Sequence, residues 1–166
     1  MHRDRELNRQ KVDPRDVLRR RATDWDREFL EDTHVRALGP TALVGYGWTE
    51  ERVRKHFHRE IHLDNCWVIA ADGIRAGYLS LERKGHGPAS TEGHWYIDAI
   101  AIVPNFQRRG VGEAALRDVM DEAGRTPIRL SVLLTNRARG LYRRLGFRVI
   151  GGDRQRELME WRAQPF

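Results

Sequence analysis

Apolar positions recur at two spacings along this chain, and the spacing changes at turn residues. Asp16–Arg21 reads as a short first strand with Val17 and Leu18 as its apolar residues. From Thr23 or Asp24 the period lengthens: Trp25, Phe29, Thr33 and Ala37 recur every four residues and predict a helix to about Leu38, stopped by Gly39-Pro40. Thr41–Trp48 reads as a mobile loop in which Gly45 and Gly47 flank Tyr46 and Trp48, aromatics placed to line a ligand cavity. Thr49 caps a second helix to about His62, with Val53, Phe57 and Ile61 on its buried stripe. Cys66–Ala71 and Ile74–Arg83 read as strands joined by the two-residue turn Asp72-Gly73. A Gly/Pro/Ser-rich loop, Lys84 to Gly93, leads to the long apolar strand His94–Val103. On that strand the two-residue period puts His94, Tyr96, Asp98 and Ile100 on one face and Trp95, Ile97, Ala99 and Ala101 on the other. A helix over Gly110–Ala123, a strand over Ile128–Leu134 and a short helix over Asn136–Leu145 follow. The strands Phe147–Ile150 and Arg154–Trp161, turning at Gly151-Gly152-Asp153, complete the series.

Composition narrows this to one class. At 166 residues, with 40% hydrophobic and 33% charged, the chain reads as a globular domain over residues 14–166 behind a polar, flexible arm, 1–13. Its longest uncharged apolar run, Cys66–Ala71, is too short to span a bilayer, and Met1–Val12 lacks the apolar stretch of a secretory signal. With Cys66 as the single cysteine, a cytoplasmic setting is expected. Charge is uneven: residues 104–166 hold 13 arginines against 7 acidic residues, whereas the preceding part is neutral. A basic half suits a polyanionic ligand. Nucleic acid is the other reading of an isoelectric point near 10.1, but no helix-turn-helix, zinc-finger or RNP pattern accompanies it.

The chemistry concentrates at Gln107-Arg108-Arg109-Gly110-Val111-Gly112, between the long strand and the helix after it. Glycines let a ligand approach the backbone, and a helix start offers N–H groups without partners and the positive end of a dipole, so this is a phosphate site. It is not a P-loop, since no Gly-Lys-Ser/Thr follows, nor the dinucleotide fingerprint, which needs a third glycine. The run from Val103 to Leu116 resembles the acetyl-CoA signature Gln/Arg-x-x-Gly-x-Gly/Ala of the GNAT N-acetyltransferases. Leu141-Tyr142-Arg143-Arg144-Leu145-Gly146-Phe147 is similar to that family's later Leu-Tyr-x-x-x-Gly-Phe block. Asp26–Leu30 and Tyr46–Glu51 also look like a bacterial branch of it.

The resemblance implies an α/β single-domain GNAT fold, a mixed sheet of six to seven strands flanked by helices in β-α-α-β-β-β-α-β-α-β-β order. It implies acetyl-CoA as co-substrate, a primary amine as acceptor and a common tendency to homodimers; with no well-placed cysteine, direct transfer in a ternary complex is expected, and no metal. Two parallel strands, here His94–Val103 and Ile128–Leu134, would diverge around the pantetheine arm, with a bulge near Ile102 freeing main-chain groups of Ala101, Ile102 and Val103, and Ile100 beside them is a further candidate for cofactor binding. Gln107, Arg108, Arg109, Gly110, Val111 and Gly112 would hold the pyrophosphate, and Asn136 matches an asparagine often found before the last helix. Tyr142 corresponds to the tyrosine that protonates the leaving thiolate, and the Ile102 N–H would take the thioester oxygen.

Asp98, an acid within an apolar strand, is the candidate base, acting through a water or else only accepting a structural hydrogen bond. Tyr46, Trp48 and Tyr96 are candidates for the acceptor side, a small-molecule amine being slightly favoured; Glu51 and Trp161 would join them by family geometry. A non-catalytic acyl-CoA-binding module is the rival reading. His58 and His62 stand four apart but not in a zinc-protease motif, His34 borders the first helix's stripe, and Cys66 reads as a core residue.

Overall fold

Asp72 and Gly73 both adopt left-handed backbone, with φ of 52° and 75°, the geometry of a tight two-residue hairpin. That turn sets β2 (Cys66–Ala71) against β3 (Ile74–Lys84). The computed structural model describes residues 10–85 and 92–165; most of the expected arm and of the loop between Lys84 and Gly93 lies outside them. The remaining elements are β1 (Val17–Arg21), α1 (Arg27–Tyr46), α2 (Glu50–Glu60), β4 (His94–Ile102), α3 (Val111–Ala123), β5 (Ile128–Leu133), α4 (Ala138–Arg144), β6 (Arg148–Gly152) and β7 (Arg156–Trp161). Their order is the expected one, and the seven strands form one mixed sheet in the spatial order β1-β2-β3-β4-β5-β7-β6. Only β4 and β5 run parallel.

Each face of the sheet carries its own core. Under α3 and α4, Ile69, Leu79, Ile97, Leu116, Val119 and Phe147 are buried together. Under α1 and α2, Leu30, Phe57, Val68, Tyr78, Ala99 and Ala101 form the second cluster. At roughly 1.5–3 kcal/mol for each fully buried large side chain, these two layers hold the sheet between them. No helix among the described residues is long and apolar enough to cross a membrane.

Two expectations fail for identifiable reasons. The first helix does not stop at Gly39-Pro40 but runs on to Tyr46, where Gly47 at φ 66° ends it. A proline in a helix interior costs about 3 kcal/mol, partly through a clash with the preceding residue, and a glycine at that place has no Cβ to add to it. The extra turns are held by tertiary contact, since Ala42 packs with Val35 and Val53 in a third buried cluster beside Trp48. The stretch read as a mobile loop is thus mostly helix. The bulge, too, lies elsewhere: Ser80 pairs with Ala99 and Leu81 with Ile97, so Asp98 is the extra residue of β4 and the pairing near Ile102 is regular. β3 and β4 approach closely at Gly77, where an added Cβ would collide with the Ala101 carbonyl oxygen and stand 2.9 Å from Ile102 Cδ1.

Two substitutions test this description in urea unfolding. Pro40→Ala should raise stability by about 1–3 kcal/mol if the helix is continuous there, and a loss would show that the chain breaks at that point. Gly77→Ala should lower it by about 1–3 kcal/mol through overpacking between β3 and β4.

Candidate active site

The site begins where the parallel pair comes apart. β4 and β5 are paired over Trp95–Ile97 and Ile128–Leu130 only, and past those residues the strands diverge. The bulge at Asp98 decides which groups face the opening. Before it, the Trp95 N–H points to the β5 side, donating to the Pro127 carbonyl (2.8 Å). After it, the Val103 N–H donates to the Ala76 carbonyl on the β3 side (2.8 Å). Bonding directions alternate along a strand, so Ala101 faces β3 with Val103, and the main-chain groups of Ile100 and Ile102 face the cleft. Of Ala101, Ile102 and Val103, expected to offer free backbone there, Ile102 alone faces the cleft, with its carbonyl held by Gln107.

The bulge also exchanges side-chain faces. Ile97 belongs to the core under α3, Ala99 and Ala101 to the core under α1, and Ile100 and Ile102 pack on the α3 side. The single alternation read along this strand therefore holds only as far as Asp98, and Ile100 is not on the face of His94 and Tyr96.

At the far end of the cleft, Arg108 (φ 60°) and Gly110 (φ 83°) are both left-handed and turn the chain into α3. The first backbone bond into the helix is from the Ala114 N–H to the Gly110 carbonyl (3.0 Å), and no side chain caps the N-terminus. The N–H groups of Val111, Gly112 and Glu113 precede that bond, and a helix supplies them no partner. A Cβ on Gly112 would meet only ordinary contacts, Ile102 Cγ1 at 3.6 Å and Leu141 Cδ2 at 3.9 Å, so its absence keeps the cradle open rather than relieving the fold. Gln107, Arg108, Arg144 and Lys11 line the same cleft of about 360 Å³. Uncapped N–H groups, dipole and cations together make an anion site.

Lys11 escaped sequence reading because it sat in a segment taken as a free arm. Val12 is buried in the main core and its N–H donates to the Arg109 carbonyl (2.9 Å). Arg109 in turn donates from Nε to the Gln10 carbonyl (2.8 Å) and lies over Phe106. Its guanidinium thus ties down Gln10–Val12 and does not line the cleft.

A second cavity, about 120 Å³, opens on the α1 side and meets the first at Ile100, Asn136 and Tyr142. Tyr142 is buried, and burial raises its hydroxyl well above the ordinary phenol value, so it keeps its proton at neutral pH. Asp98 lines the second cavity, and burial raises its carboxyl although Lys84 Nζ, 3.7 Å away, opposes the shift. Tyr46 and Trp48 stack there with ring centroids 5.0 Å apart, and Trp48 tilts against His56 at 5.1 Å. Arg156 reaches this cavity from β7, bonding the Tyr46 hydroxyl (3.1 Å), Ser131 Oγ (2.9 Å) and the Ser131 carbonyl (3.1 Å).

Other candidates are placed elsewhere. Tyr96 lies outside both cavities, its ring beneath Lys84 Nζ at 4.0 Å. Glu51 pairs with Lys55, and Trp161 packs beside Gly146 against the core. Asn136 lines both cavities, but its Oδ1 is occupied by the Ala138 N–H (2.9 Å). Gln107 donates to the Ile102 carbonyl (2.9 Å), pinning the loop to the strand end. His58 pairs with Glu31, and Cys66 is a core thiol that burial pushes up to about 11. His34 is more than a boundary residue: it lines the second cavity, and its Nδ1 is bonded to the buried Tyr78 hydroxyl at 2.6 Å.

Comparison with known proteins agrees with this geometry. The sequence profile described as "Acetyltransferase (GNAT) family" matches residues 21–147. An uncharacterized protein of Mycobacterium leprae is 38% identical over 99 residues, covering 57% of this chain and 26% of that protein. The N-alpha-acetyltransferase RimI of Mycobacterium tuberculosis is 31% identical over 98 residues, again 57% of this chain and 60% of the relative. The matches thus span about a quarter and three fifths of those proteins. Among solved structures, the PaiA N-acetyltransferase of Thermoplasma acidophilum in complex with coenzyme A superposes with a TM-score of 0.69 at 16% identity, over 89% of this chain and 99% of that one.

Burial holds the His34 imidazole down to about 4, helped by the nearby charge of His56. The unfolded chain takes up that proton near 6.5 and the folded one does not, so this group's contribution is complete above pH 6.5 and is lost as the pH falls toward 4. Between pH 7 and 4.5, His34→Gln should lose about 2–3 kcal/mol less unfolding free energy than the wild type, measured in urea at both pH values. Equal losses would place His34 in contact with solvent.

Proposed function

The chain belongs to the GNAT acetyltransferase family, and on that premise we propose that it moves the acetyl group of acetyl-CoA directly onto a primary amine in a ternary complex. The observation that carries the reading is the pair of cavities joined at Tyr142, one ending in an uncapped helix N-terminus among cations and the other lined by Asp98. The coenzyme A complex of the PaiA structure and the kinship to RimI support the cofactor and the reaction class.

The residues fit the co-substrate. The N–H groups of Val111, Gly112 and Glu113, with Lys11 and Arg108 beside them, would take the pyrophosphate, and the open main chain of Ile100 would bond the pantetheine arm, the Ile102 carbonyl being held by Gln107. The Ile102 N–H would stabilise the charge that gathers on the thioester oxygen. Asp98, directly or through a water, accepts the ammonium proton, which frees the nitrogen lone pair to attack the acetyl carbon. As the carbon–sulfur bond breaks, Tyr142 donates its proton to the thiolate; the attacking nitrogen releases its second proton to water, and the Tyr142 phenolate is reprotonated from solvent. Cys66, buried and with a raised thiol, supports direct transfer over an acetylated enzyme. Holding amine and thioester together supplies much of the rate.

Thermal unfolding tests the cofactor half: acetyl-CoA at one hundred times its dissociation constant should add about 2.7 kcal/mol to the wild type. Gly112→Asp, which puts a carboxylate in the cradle, should remove that gain while keeping the fold. Thiol release with an amine panel tests the chemistry. Tyr142→Phe should keep the stabilisation by acetyl-CoA and lose about a hundredfold in turnover. The wild-type rate should rise with pH through an ionisation above the ordinary carboxylate range, and Asp98→Asn should lack that limb. Binding of acetyl-CoA with no amine-dependent thiol release would favour the non-catalytic module.

A further inference from the structure

We infer that the acceptor carries a carboxylate near its amine, and that Arg156 holds it; the inference rests on the acetyl-transfer reading and names its substrate class. The basis is an arginine that makes no ion pair with any carboxylate of the described residues. Arg156 is the first residue of β7, opposite Leu133 of β5, and its guanidinium lies across Ser131 into the cavity shared with Asp98. Three of its N–H bonds go to Ser131 Oγ, the Ser131 carbonyl and the Tyr46 hydroxyl, all neutral acceptors. Among the described residues no carboxylate stands within ion-pair distance of it, although the neighbouring arginines are matched. Arg129 pairs with Glu160 at 2.7 Å, and Arg139 and Arg143 converge on Glu157 at 2.8 and 3.1 Å.

The acids that could have served Arg156 are committed. Glu157, the next residue along β7, is held by those two arginines. Asp153 Oδ1 accepts the backbone N–H groups of Gln155 and Arg156, at 2.7 and 2.9 Å, and the carboxylate attracts the Arg156 guanidinium only from beyond ion-pair distance. A guanidinium has five donors in a planar fork, so two remain after these bonds, in a group whose orientation is already fixed from β5 and α1. Fixed, part-buried and without an ion pair among the described residues, it is built to receive an anion, and a carboxylate matches the fork. Asp98 is the only acid lining the same cavity among the described residues, so the cavity offers one negative group for an ammonium and one positive group for its counterpart. A free amino acid has that polarity. The Tyr46–Trp48 stack beside Arg156 would take an apolar side chain.

The test uses thiol release from saturating acetyl-CoA with L-amino acids, each against its own carboxamide. Amidated peptides beginning with Asp or Glu are compared with those beginning with Asn or Gln. The wild type should prefer the acids by about 10–100-fold in kcat/KM, the worth of a charge-assisted hydrogen-bonded pair. Arg156→Gln should collapse that ratio toward one, chiefly by raising KM for the acids, and Arg156→Lys should restore part of it. Both variants should still be stabilised by acetyl-CoA, which separates a lost contact from a lost fold. Preference for the acid confined to the peptides would keep the role of Arg156 and assign the carboxylate to a first-residue side chain. Equal use of acids and amides, an equal loss for both in Arg156→Gln, or binding of acetyl-CoA with no acceptor used in either panel would each overturn the inference. Failure of the wild type to bind acetyl-CoA strikes the acetyl-transfer reading instead.

Discussion

Everything at this site depends on a parallel pair that stops pairing after three residues. A strand inside a sheet normally has both edges bonded, and an unpaired buried N–H or C=O costs free energy comparable to a lost hydrogen bond. β4 keeps its β3 edge over most of its length and gives up its β5 edge beyond Ile97. What makes that tolerable is that the freed groups line a cleft that a ligand or water reaches. The bulge at Asp98 is the second half of the device. By inserting one residue it moves Ile100 and Ile102 to the open edge and turns Ala99 and Ala101, both small, toward the packed core under α1. One extra residue therefore serves both the ligand face and the core.

The same residue explains how an acid sits in the middle of a sheet. In a regular strand Asp98 would need a partner across the pleat; at the bulge it is the residue without a paired position on β3 and lies beside the second cavity, with Lys84 3.7 Å away. That contact is too long for a strong hydrogen bond, and burial outweighs it in setting the direction of the carboxyl's shift. Asp26 is the contrast. It is also buried, yet Arg20 and the Thr23 backbone and hydroxyl bond its carboxylate and hold it far below the ordinary range. One acid is fully answered by the fold and is structural. The other is left with proton affinity to spend, which is what a base requires.

Much of the fold was legible because its signals are local. Asp72-Gly73 must make a tight turn, the four-residue period of Val53, Phe57 and Ile61 must make a helix, and two signature blocks in order point to one architecture. The misses share a cause, namely tertiary contact overriding a local rule. Pro40 reads as a stop until Ala42 finds Val53, and the polar arm reads as free until Val12 finds the core. The bulge is harder still, since no residue of Trp95–Ile102 announces it: the alternation is clean in sequence and broken in space. Tyr96 and Ile100, read as sharing one face, lie on opposite faces for that reason.

Arg156 was invisible for a different reason. Thirteen arginines in residues 104–166 look alike in sequence, and most of them do solvate surfaces or meet carboxylates. What distinguishes one is a subtraction that needs coordinates: which cations remain after every acid has been assigned. In a chain with this excess of positive charge some must remain, and at an exposed position water and salt answer them. Arg156 remains where water is partly excluded and three neutral groups fix its direction, so its charge persists where a ligand enters. The unmatched cation and the weakly matched acid line one small cavity, and that pairing of opposite defects, neither of which the fold corrects, is a stronger sign of what the cavity takes than either residue alone.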